Sequence, residues 1–293
     1  MTSYQAENLS IVIPAKNEQL AIGQLVHDLR SSFAQAQIIV VDDGSTDQTA
    51  TIAAEAGATV INHPYSKGNG AAIKTGARHA SGDFIVFMDG DGQHKSKDIQ
   101  LLLDKMAEGY DMVVGARQKG SQASVGRGMA NKFYNKLASY VTGQKVEDLT
   151  SGFRLVRRSL FLKILSLLPN GFSYPTTSTM AFFRAGYSVA YVPINAATRQ
   201  GKSHIRPLQD GIRFLLIIFK IGTLYSPLKL FLPISASVFA VGLSYYAYTY
   251  LTVGRFTNMS ALMFTTALIV FMVGLVSEQI TQLLYVETEK EHN

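Results

Sequence analysis

Two charge-free runs near the C-terminus constrain this chain more than any other feature. No Asp, Glu, Lys or Arg lies between Lys229 and Arg255, and none between Arg255 and Glu278. Each run reaches the roughly 20 apolar residues that a helix needs to cross a bilayer. The pattern predicts two transmembrane helices, over residues 230–251 and 257–280, within a hairpin segment 229–285. Tyr245, Tyr246, Tyr248 and Tyr250 cluster where an aromatic belt would sit. The linker Gly254-Arg255-Phe256 is short, so both ends of the hairpin emerge on one side. Arg213, Lys220 and Lys229 precede the first span, whereas the linker has one Arg. The positive-inside rule then puts residues 1–228 and the tail 286–293 in the cytoplasm, on a multi-pass inner-membrane protein. Only 16% of residues are charged, against a usual ~25%. Two buried core helices are the alternative, but a water-soluble core seldom needs two such runs.

The remaining charge is unevenly divided. Residues 1–112 carry 8 basic and 14 acidic side chains, and residues 113–220 carry 16 basic and 3 acidic. An acidic part beside a basic part can hold a cation on one side and receive an anion on the other; a solvated basic surface is the plain alternative. No zinc-finger or RNP-like motif and no basic stripe with interleaved aromatics is present, so no nucleic acid is expected. With no Cys, disulfides, thiolate metal sites and cysteine nucleophiles are excluded. The first residues have neither a basic nor an apolar region, and no signal peptide is expected. Arg206, Arg213 and Lys220 recur every seventh residue among Phe214, Leu215, Ile217, Ile218, Phe219 and Ile221. That spacing predicts an amphipathic helix over 206–228, lying in the headgroup plane of an anionic bilayer.

Residues 1–205 alternate short apolar runs (9–13, 38–41, 59–62, 84–88, 111–114) with amphipathic stretches (18–33, 46–56, 69–80, 96–108). This order predicts an α/β domain with a doubly wound, mostly parallel sheet. Ligands of such sheets sit beyond the carboxyl ends of the strands. There the chain places Pro14-Ala-Lys-Asn-Glu18, Asp42-Asp-Gly-Ser-Thr-Asp47 and Asp89-Gly-Asp-Gly-Gln-His94. A Walker A loop is absent, and Gly68-Asn69-Gly70 lacks the third glycine of a dinucleotide fingerprint. Asp89 and Asp91, one residue apart on a turn leaving a strand, offer the hard oxygens that suit Mg²⁺ or Mn²⁺ bound to a diphosphate.

Together and in order, Ser10-Ile-Val-Ile-Pro-Ala-Lys-Asn-Glu18, Val40-Val-Asp-Asp-Gly-Ser-Thr-Asp47 and Asp83-Phe-Ile-Val-Phe-Met-Asp-Gly-Asp-Gly-Gln-His94 resemble the family 2 glycosyltransferases with a GT-A fold. Asp148-Leu-Thr-Ser-Gly-Phe-Arg154 and the terminal hairpin resemble, more narrowly, the polyprenyl-phosphate hexose synthases, the dolichyl-phosphate mannose or glucose synthase-like group. The resemblance covers essentially the whole chain. It implies that Pro14, Glu18 and Asp42, with Asn17 beside them, meet the base and ribose of a UDP- or GDP-hexose, Asp43 supporting the turn. Asp89 and Asp91, flanking Gly90, would hold the metal, with Gln93 close to it and to the phosphates. Arg117 and Arg127 match positions that bind an acceptor phosphate. Arg199 and Lys202 fall in a loop, 199–206, that closes over the phosphates. His204 stands where the family has another basic residue, which leaves that position's role open.

The expected reaction is inverting, metal-dependent transfer of a hexose, mannose or glucose, to a polyprenyl (undecaprenyl or dolichyl) phosphate. A sugar hydroxyl as acceptor would need a carboxylate base. Residues 174–181, where glycan-elongating relatives often carry one, contain none. A phosphate monoester, with a second pKa of about 6, arrives ionised and needs no base. Glu147 and Asp148 either supply a base after all, or Asp148 orients Arg127 or caps the following turn. Lys67, Asn69 and Lys74 either reach the donor or only form and cap a turn, and His94, next to Gln93, shapes the metal loop without being a ligand. Transfer to a hydroxyl of a lipid-linked glycan and a non-catalytic nucleotide-sugar-binding scaffold are the competing readings. A two-helix hairpin also suits pairing with copies of itself.

Overall fold

The structure is a computed structural model, and it describes residues 8–92, 94–118, 125–171, 173–195, 216, 219, 222–223 and 226–290, without the side chains of 125–130 and 284–290. Its contacts divide the chain into two units, Met1–Lys136 with Gln144–Gly211 and Leu137–Gly143 with Ile212–Asn293.

The first unit is built on a seven-stranded sheet of β1 (Leu9–Ala15), β2 (Gln37–Asp42), β3 (Thr59–Asn62), β4 (Phe84–Phe87), β5 (Met112–Arg117), β6 (Arg154–Arg157) and β7 (Val189–Ile194). The strand order is β3-β2-β1-β4-β6-β5-β7. β1 is parallel to β2 and β4, β2 to β3, and β5 to β7. β6 runs antiparallel between β4 and β5. Ile11, Ile13, Ile38, Val40 and Val86 are fully buried, and β1 is covered on both faces. Continuous apolar sequence of this kind is what a central parallel strand requires.

The helices α1 (Ile22–Ser32), α2 (Thr49–Glu55), α3 (Asn69–His79) and α4 (Ser96–Met106) connect these strands, and each stretch expected as helix contains one. Four of the five expected strands differ from the observed ones by at most two residues at an end. The chain from β1 leads to β2 on one side, and β4 lies on the other, so the strand order reverses at β1. At such a reversal a crevice opens beyond the carboxyl ends of the strands. After β5 come α5 (Val125–Thr142), α6 (Arg158–Lys163) and α7 (Tyr174–Arg184). Because β6 is antiparallel, its entry segment, 148–153, lies at the same edge of the sheet as the carboxyl ends of β1, β4 and β5.

The second unit holds α8 (Pro227–Val253) and α9 (Asn258–Lys290), both long and apolar enough to cross a membrane. Close packing of the two helices relies on small residues. The Ser235 hydroxyl donates to the Ala267 carbonyl at 2.7 Å, and a Cβ on Gly274 would stand 2.6 Å from the Phe231 Cβ. Glu278, the carboxylate that ends the apolar run, accepts the Leu228 N–H at 3.2 Å and so caps the first turn of α8. α9 continues to Lys290, beyond the span expected from its apolar residues. Residues 286–290 are therefore helical, since a helix does not need apolar side chains once it has left lipid. The expected interfacial helix over 206–228 falls largely outside the described residues; Leu216 and Phe219, which are described, are helical and exposed.

Candidate active site

The ends of β1 and β2 are tied to each other by their own polar side chains. The Asn17 N–H donates to the Ser45 hydroxyl at 2.9 Å, and the Thr46 N–H donates to Asn17 Oδ1 at 2.9 Å. Asn17 adopts a φ of 56°, a left-handed conformation that its short amide tolerates. The Glu18 N–H donates to the Thr49 hydroxyl at 2.9 Å. Asp42, nearly buried, accepts the Ser45 N–H and hydroxyl. Pro14 pairs in register with Val41, one residue before Asp42.

Asp43 is committed to the architecture. It accepts from the Ser66 hydroxyl (2.7 Å) and from the Lys67 and Gly68 N–H groups (2.8 and 2.9 Å), and His63 Nδ1 lies 2.8 Å away. Burial alone would raise its pKa, but these four partners outweigh it and hold the carboxyl down at about 2. Lys67 contributes its N–H to this turn, and its ammonium lies 5.9 Å from the Tyr65 ring centroid. The first turn of α3 is tied to the segment that precedes α7. The Gly70 and Ala71 N–H groups donate to the Gly171 and Asn170 carbonyls. Lys74 Nζ bonds Asn170 Oδ1 at 2.8 Å.

Asp89, Gly90 and Asp91 form the turn after β4, with both carboxylates half-buried. Gly152 leaves room beside Asp89: a Cβ there would stand 3.2 and 3.4 Å from the two carboxylate oxygens. Two hard carboxylates one residue apart, with a glycine where a side chain would crowd Asp89, fit Mg²⁺ or Mn²⁺, whose other ligands would come from water and phosphate. Among the described residues no third His, Asp or Glu joins them in a metal-binding group. Gln93, Arg199, Lys202 and His204 lie outside the described residues, and Arg127 is described only as part of the α5 backbone.

Arg117, at the end of β5, meets Asp148. Its Nε and Nη2 donate to the two carboxylate oxygens at 2.8 and 2.9 Å, and its own N–H reaches the same group at 3.2 Å. The Thr150 N–H and hydroxyl complete five bonds to Asp148. Burial pushes the Asp148 pKa up, yet Arg117 and these donors win and hold it below the ordinary carboxylate range. Arg117 Nη1 has no partner among the described residues, and the side chain is 30% exposed. Of the roles expected for Asp148, the structure shows it holding the Thr150 turn, and it adds the pairing with Arg117; the Arg127 side chain lies outside the described residues. Glu147 sits outside this cluster, in an ion pair with Lys145 at 2.7 Å.

Arg154 and Tyr174 are buried groups at this edge to which the sequence reading assigned no role, and His94 lies beside them. Arg154, in β6, is completely buried. Its Nη1 donates to the Pro175 carbonyl (2.9 Å) and to the Ser178 and Thr179 hydroxyls (2.7 and 3.1 Å), and its Nη2 to the Ser151 carbonyl. It also stacks over the Tyr174 ring, 5.6 Å from the centroid. Burial drives the Tyr174 pKa far upward, so its hydroxyl stays protonated and donates to the Gly152 carbonyl at 2.8 Å. His94 is buried, stacks on Phe153 with centroids 4.6 Å apart, and has no partner for Nδ1 among the described residues. Desolvation keeps its pKa below the usual histidine range despite the opposing charge of Asp91. The Gly152-Phe153-Arg154 stretch was the available signal, because it lies within a motif already singled out.

Comparison with known proteins bears on this geometry. The Glycosyl transferase family 2 model matches residues 10–165, and the GtrB C-terminal hairpin model matches residues 226–283. Glycosyltransferase AglJ of Haloferax volcanii is 29% identical over 289 residues, 93% of each chain. The dolichyl-phosphate hexose transferase of the same organism is 32% identical over 214 residues, 72% of this chain and 92% of that one. Among solved structures, glucosyl-3-phosphoglycerate synthase from Mycobacterium tuberculosis, in complex with Mn²⁺, UDP and phosphoglyceric acid, superposes with a TM-score of 0.59 at 22% identity. That match covers 73% of this chain and 78% of the synthase, and it shows a shared fold.

Proposed function

Because the chain belongs to glycosyl transferase family 2 and ends in a GtrB-type hairpin, we propose that it moves one hexose, mannose or glucose, from a UDP- or GDP-sugar to a polyprenyl phosphate. The anomeric carbon exchanges its bond to the nucleotide diphosphate for a bond to an acceptor phosphate oxygen, with inversion. The nucleotide diphosphate leaves with the electron pair of the broken bond.

One observation carries this reading. Arg117 is half-exposed, fixed by Asp148 through two of its nitrogens, and left with Nη1 for a ligand. A planar guanidinium clamped in this way suits a phosphate oxygen. The same arrangement argues against base catalysis. A carboxylate with five hydrogen bonds and a lowered pKa is a poor proton acceptor. A phosphate dianion loses no proton in the attack and has no need of one. Arg127 is the second acceptor-phosphate candidate.

On the donor side, Pro14, Glu18 and Asp42 are assigned to the base and ribose. Asn17, Asp43 and Lys67 hold the surrounding loops through the bonds described above. Asp89 and Asp91, flanking Gly90, would hold Mg²⁺ or Mn²⁺ with Gln93. When bound, the ion neutralises charge on the departing diphosphate as a Lewis acid. Arg199 and Lys202 are assigned to the same phosphates. The name of the Haloferax volcanii hexose transferase supports a lipid-phosphate acceptor. The excess of Lys and Arg before α8 supports a catalytic unit on the cytoplasmic side of the inner membrane.

The test is radiolabel transfer into an organic-extractable lipid by purified protein, given Mn²⁺ or Mg²⁺, a polyprenyl phosphate and a panel of UDP- and GDP-sugars. Label from one donor, absent with Asp91→Ala, is the expected result. Binding of a nucleotide sugar with no lipid label from any donor would overturn the assignment.

A further inference from the structure

The segment that follows β3, Pro64-Tyr65-Ser66-Lys67, is exposed along its length, with Tyr65 at 67%. Its backbone is nevertheless fixed. Buried Asp43 accepts from the Ser66 hydroxyl and from the Lys67 and Gly68 N–H groups at 2.7, 2.8 and 2.9 Å. His63, also buried, bridges Asp43 Oδ1 at 2.8 Å and the Thr75 hydroxyl of α3 at 3.0 Å. A Cβ on Gly44 would stand 2.8 Å from the Ser66 nitrogen and 3.1 Å from the Tyr65 Cα. The turn therefore packs directly on the chain that leaves β2 through Asp42 and Asp43. It is held on every side, yet it leaves its aromatic ring in water. A rigid backbone that presents an unburied ring has already lost the freedom that binding would otherwise cost.

Two further observations point to the ligand. A single exposed ring is ordinary on a soluble surface. Among the described residues of the first unit, however, the exposed aromatic side chains are Tyr65 and Phe133. Phe133 lies within α5, whereas Tyr65 stands three residues beyond the carboxyl end of β3, at the edge where the ligand crevice opens. The residues assigned to the nucleoside, Pro14, Glu18 and Asp42, bring a pyrrolidine and two carboxylates, and none of them offers an aromatic face to a base. The chain has no Trp that could do so instead. The Lys67 ammonium, 5.9 Å from the Tyr65 centroid, lies at the outer limit of a cation–π contact and leaves the ring accessible.

We propose that Tyr65 is the stacking platform for the base of the nucleotide sugar, a residue that selects a nucleoside diphosphate over the same diphosphate without its base. The proposal rests on the donor reading above and extends it to the turn after β3. Stacking needs only a flat aromatic face, so phenylalanine serves there as tyrosine does.

Binding of UDP, of GDP and of ribose diphosphate, which lacks the base, would be measured by calorimetry with Mn²⁺ on the full-length parent, Tyr65→Ala and Tyr65→Phe. Because the chain has no Trp, Tyr65→Trp introduces a single reporter. Tyr110→Trp, just before β5 and so at the opposite edge of the sheet, is its control. Tyr65→Ala should weaken the nucleoside diphosphate that the parent binds by roughly 5- to 100-fold and leave ribose diphosphate unchanged. It should raise the KM for the nucleotide sugar with kcat near the parent's, and Tyr65→Phe should match the parent throughout. The same nucleoside diphosphate should quench the emission of Tyr65→Trp saturably and leave that of Tyr110→Trp unchanged. Parent-like affinity of Tyr65→Ala for the nucleoside diphosphate overturns this proposal and leaves the donor reading standing. Equal weakening of the ligands with and without a base marks a merely structural turn and also overturns it. A parent that binds neither UDP nor GDP removes the donor reading and this proposal with it.

Discussion

Arg117 and Asp148 form a forked ion pair, Nε and Nη2 on the two carboxylate oxygens at 2.8 and 2.9 Å, at the edge of the sheet where the strands deliver their polar ends. Lysine keeps the charge of Arg117 but lacks the planar fork that fixes two nitrogens on the two oxygens while a third nitrogen faces outward. Losing a charge-assisted hydrogen bond weakens an interaction by about 1.5–3 kcal/mol. Arg117→Lys should therefore lower kcat/KM for the lipid acceptor on the order of 10- to 100-fold. Its KM for the nucleotide sugar should change little; equal losses for both substrates would count against an acceptor role.

Asp148 distinguishes a positioning carboxylate from a base. If it only holds Arg117, Asp148→Asn reduces acceptor turnover while the shape of the pH–rate profile below neutrality stays that of the parent. If it were the base, its replacement would remove an ionisation from that profile. Initial rates of Asp148→Asn and parent between pH 5 and 8 decide the matter.

Asp91 is assigned to the metal, and its loss should be visible without turnover. The metal supplies several kcal/mol of charge stabilisation to a departing diphosphate, and each 1.36 kcal/mol is tenfold in rate. Asp91→Ala should then reduce transfer by roughly 10³-fold or more. Mn²⁺ titrated with a nucleoside diphosphate present, and followed by its EPR signal, should remain mostly free. Parent-like Mn²⁺ uptake by the variant would remove Asp91 from the ligand set.

Asp43 gives a stability prediction with a defined sign. Its folded pKa of about 2 lies below the ordinary 3.8, so its ionised form stabilises the fold. That contribution is complete above about pH 4 and disappears as pH falls through 2. Asp43→Asn should melt lower than the parent at pH 6, and the gap should narrow progressively between pH 4 and pH 2.5. Thermal melts in detergent across that range test it; a gap independent of pH would mean that the carboxylate's charge is not what holds the 66–68 turn.

How far the site could be read from sequence depended on where each residue stood. The strands β1, β2 and β4 are buried on both faces and announce themselves as apolar runs. Once they are parallel, topology alone brings Asp42, Asp43, Asp89 and Asp91 to one edge. β6 was not legible, because its four residues, Arg-Leu-Val-Arg, begin and end with a charge. Arg157 finds Asp111 at 3.2 Å, and Arg154 is received by carbonyls and hydroxyls from α7 and residue 151. Those acceptors are distant in sequence, and no local pattern marks them. The Thr- and Ser-rich run of α7 likewise looks solvated in sequence, although Thr176, Thr177, Ser178 and Thr179 are all buried. Its polarity is explained by the guanidinium it surrounds, by the bond from Thr176 to the Leu149 carbonyl and by bonds back to carbonyls at its own start.

Arg154 therefore offers the sharpest test of that buried network. Methionine fills a similar volume without charge. Replacing a buried ion by an apolar side chain can be nearly neutral when its partners are also apolar. Here the Ser151 carbonyl would lose its donor, whereas the Pro175 carbonyl keeps the Ser178 and Thr179 hydroxyls. Leaving a buried polar group unsatisfied costs about 1–3 kcal/mol. Arg154→Met should lower the thermal midpoint of the catalytic unit. It should also loosen the Gly152 peptide, which accepts from Tyr174 and borders Asp89. Mn²⁺ affinity in the presence of a nucleoside diphosphate is the second readout. A variant that melts lower yet binds Mn²⁺ as the parent does would confine Arg154 to stability. A shift in both would show that the buried cation also sets the geometry at Asp89, and an unchanged midpoint would mean that the Ser151 carbonyl finds another donor.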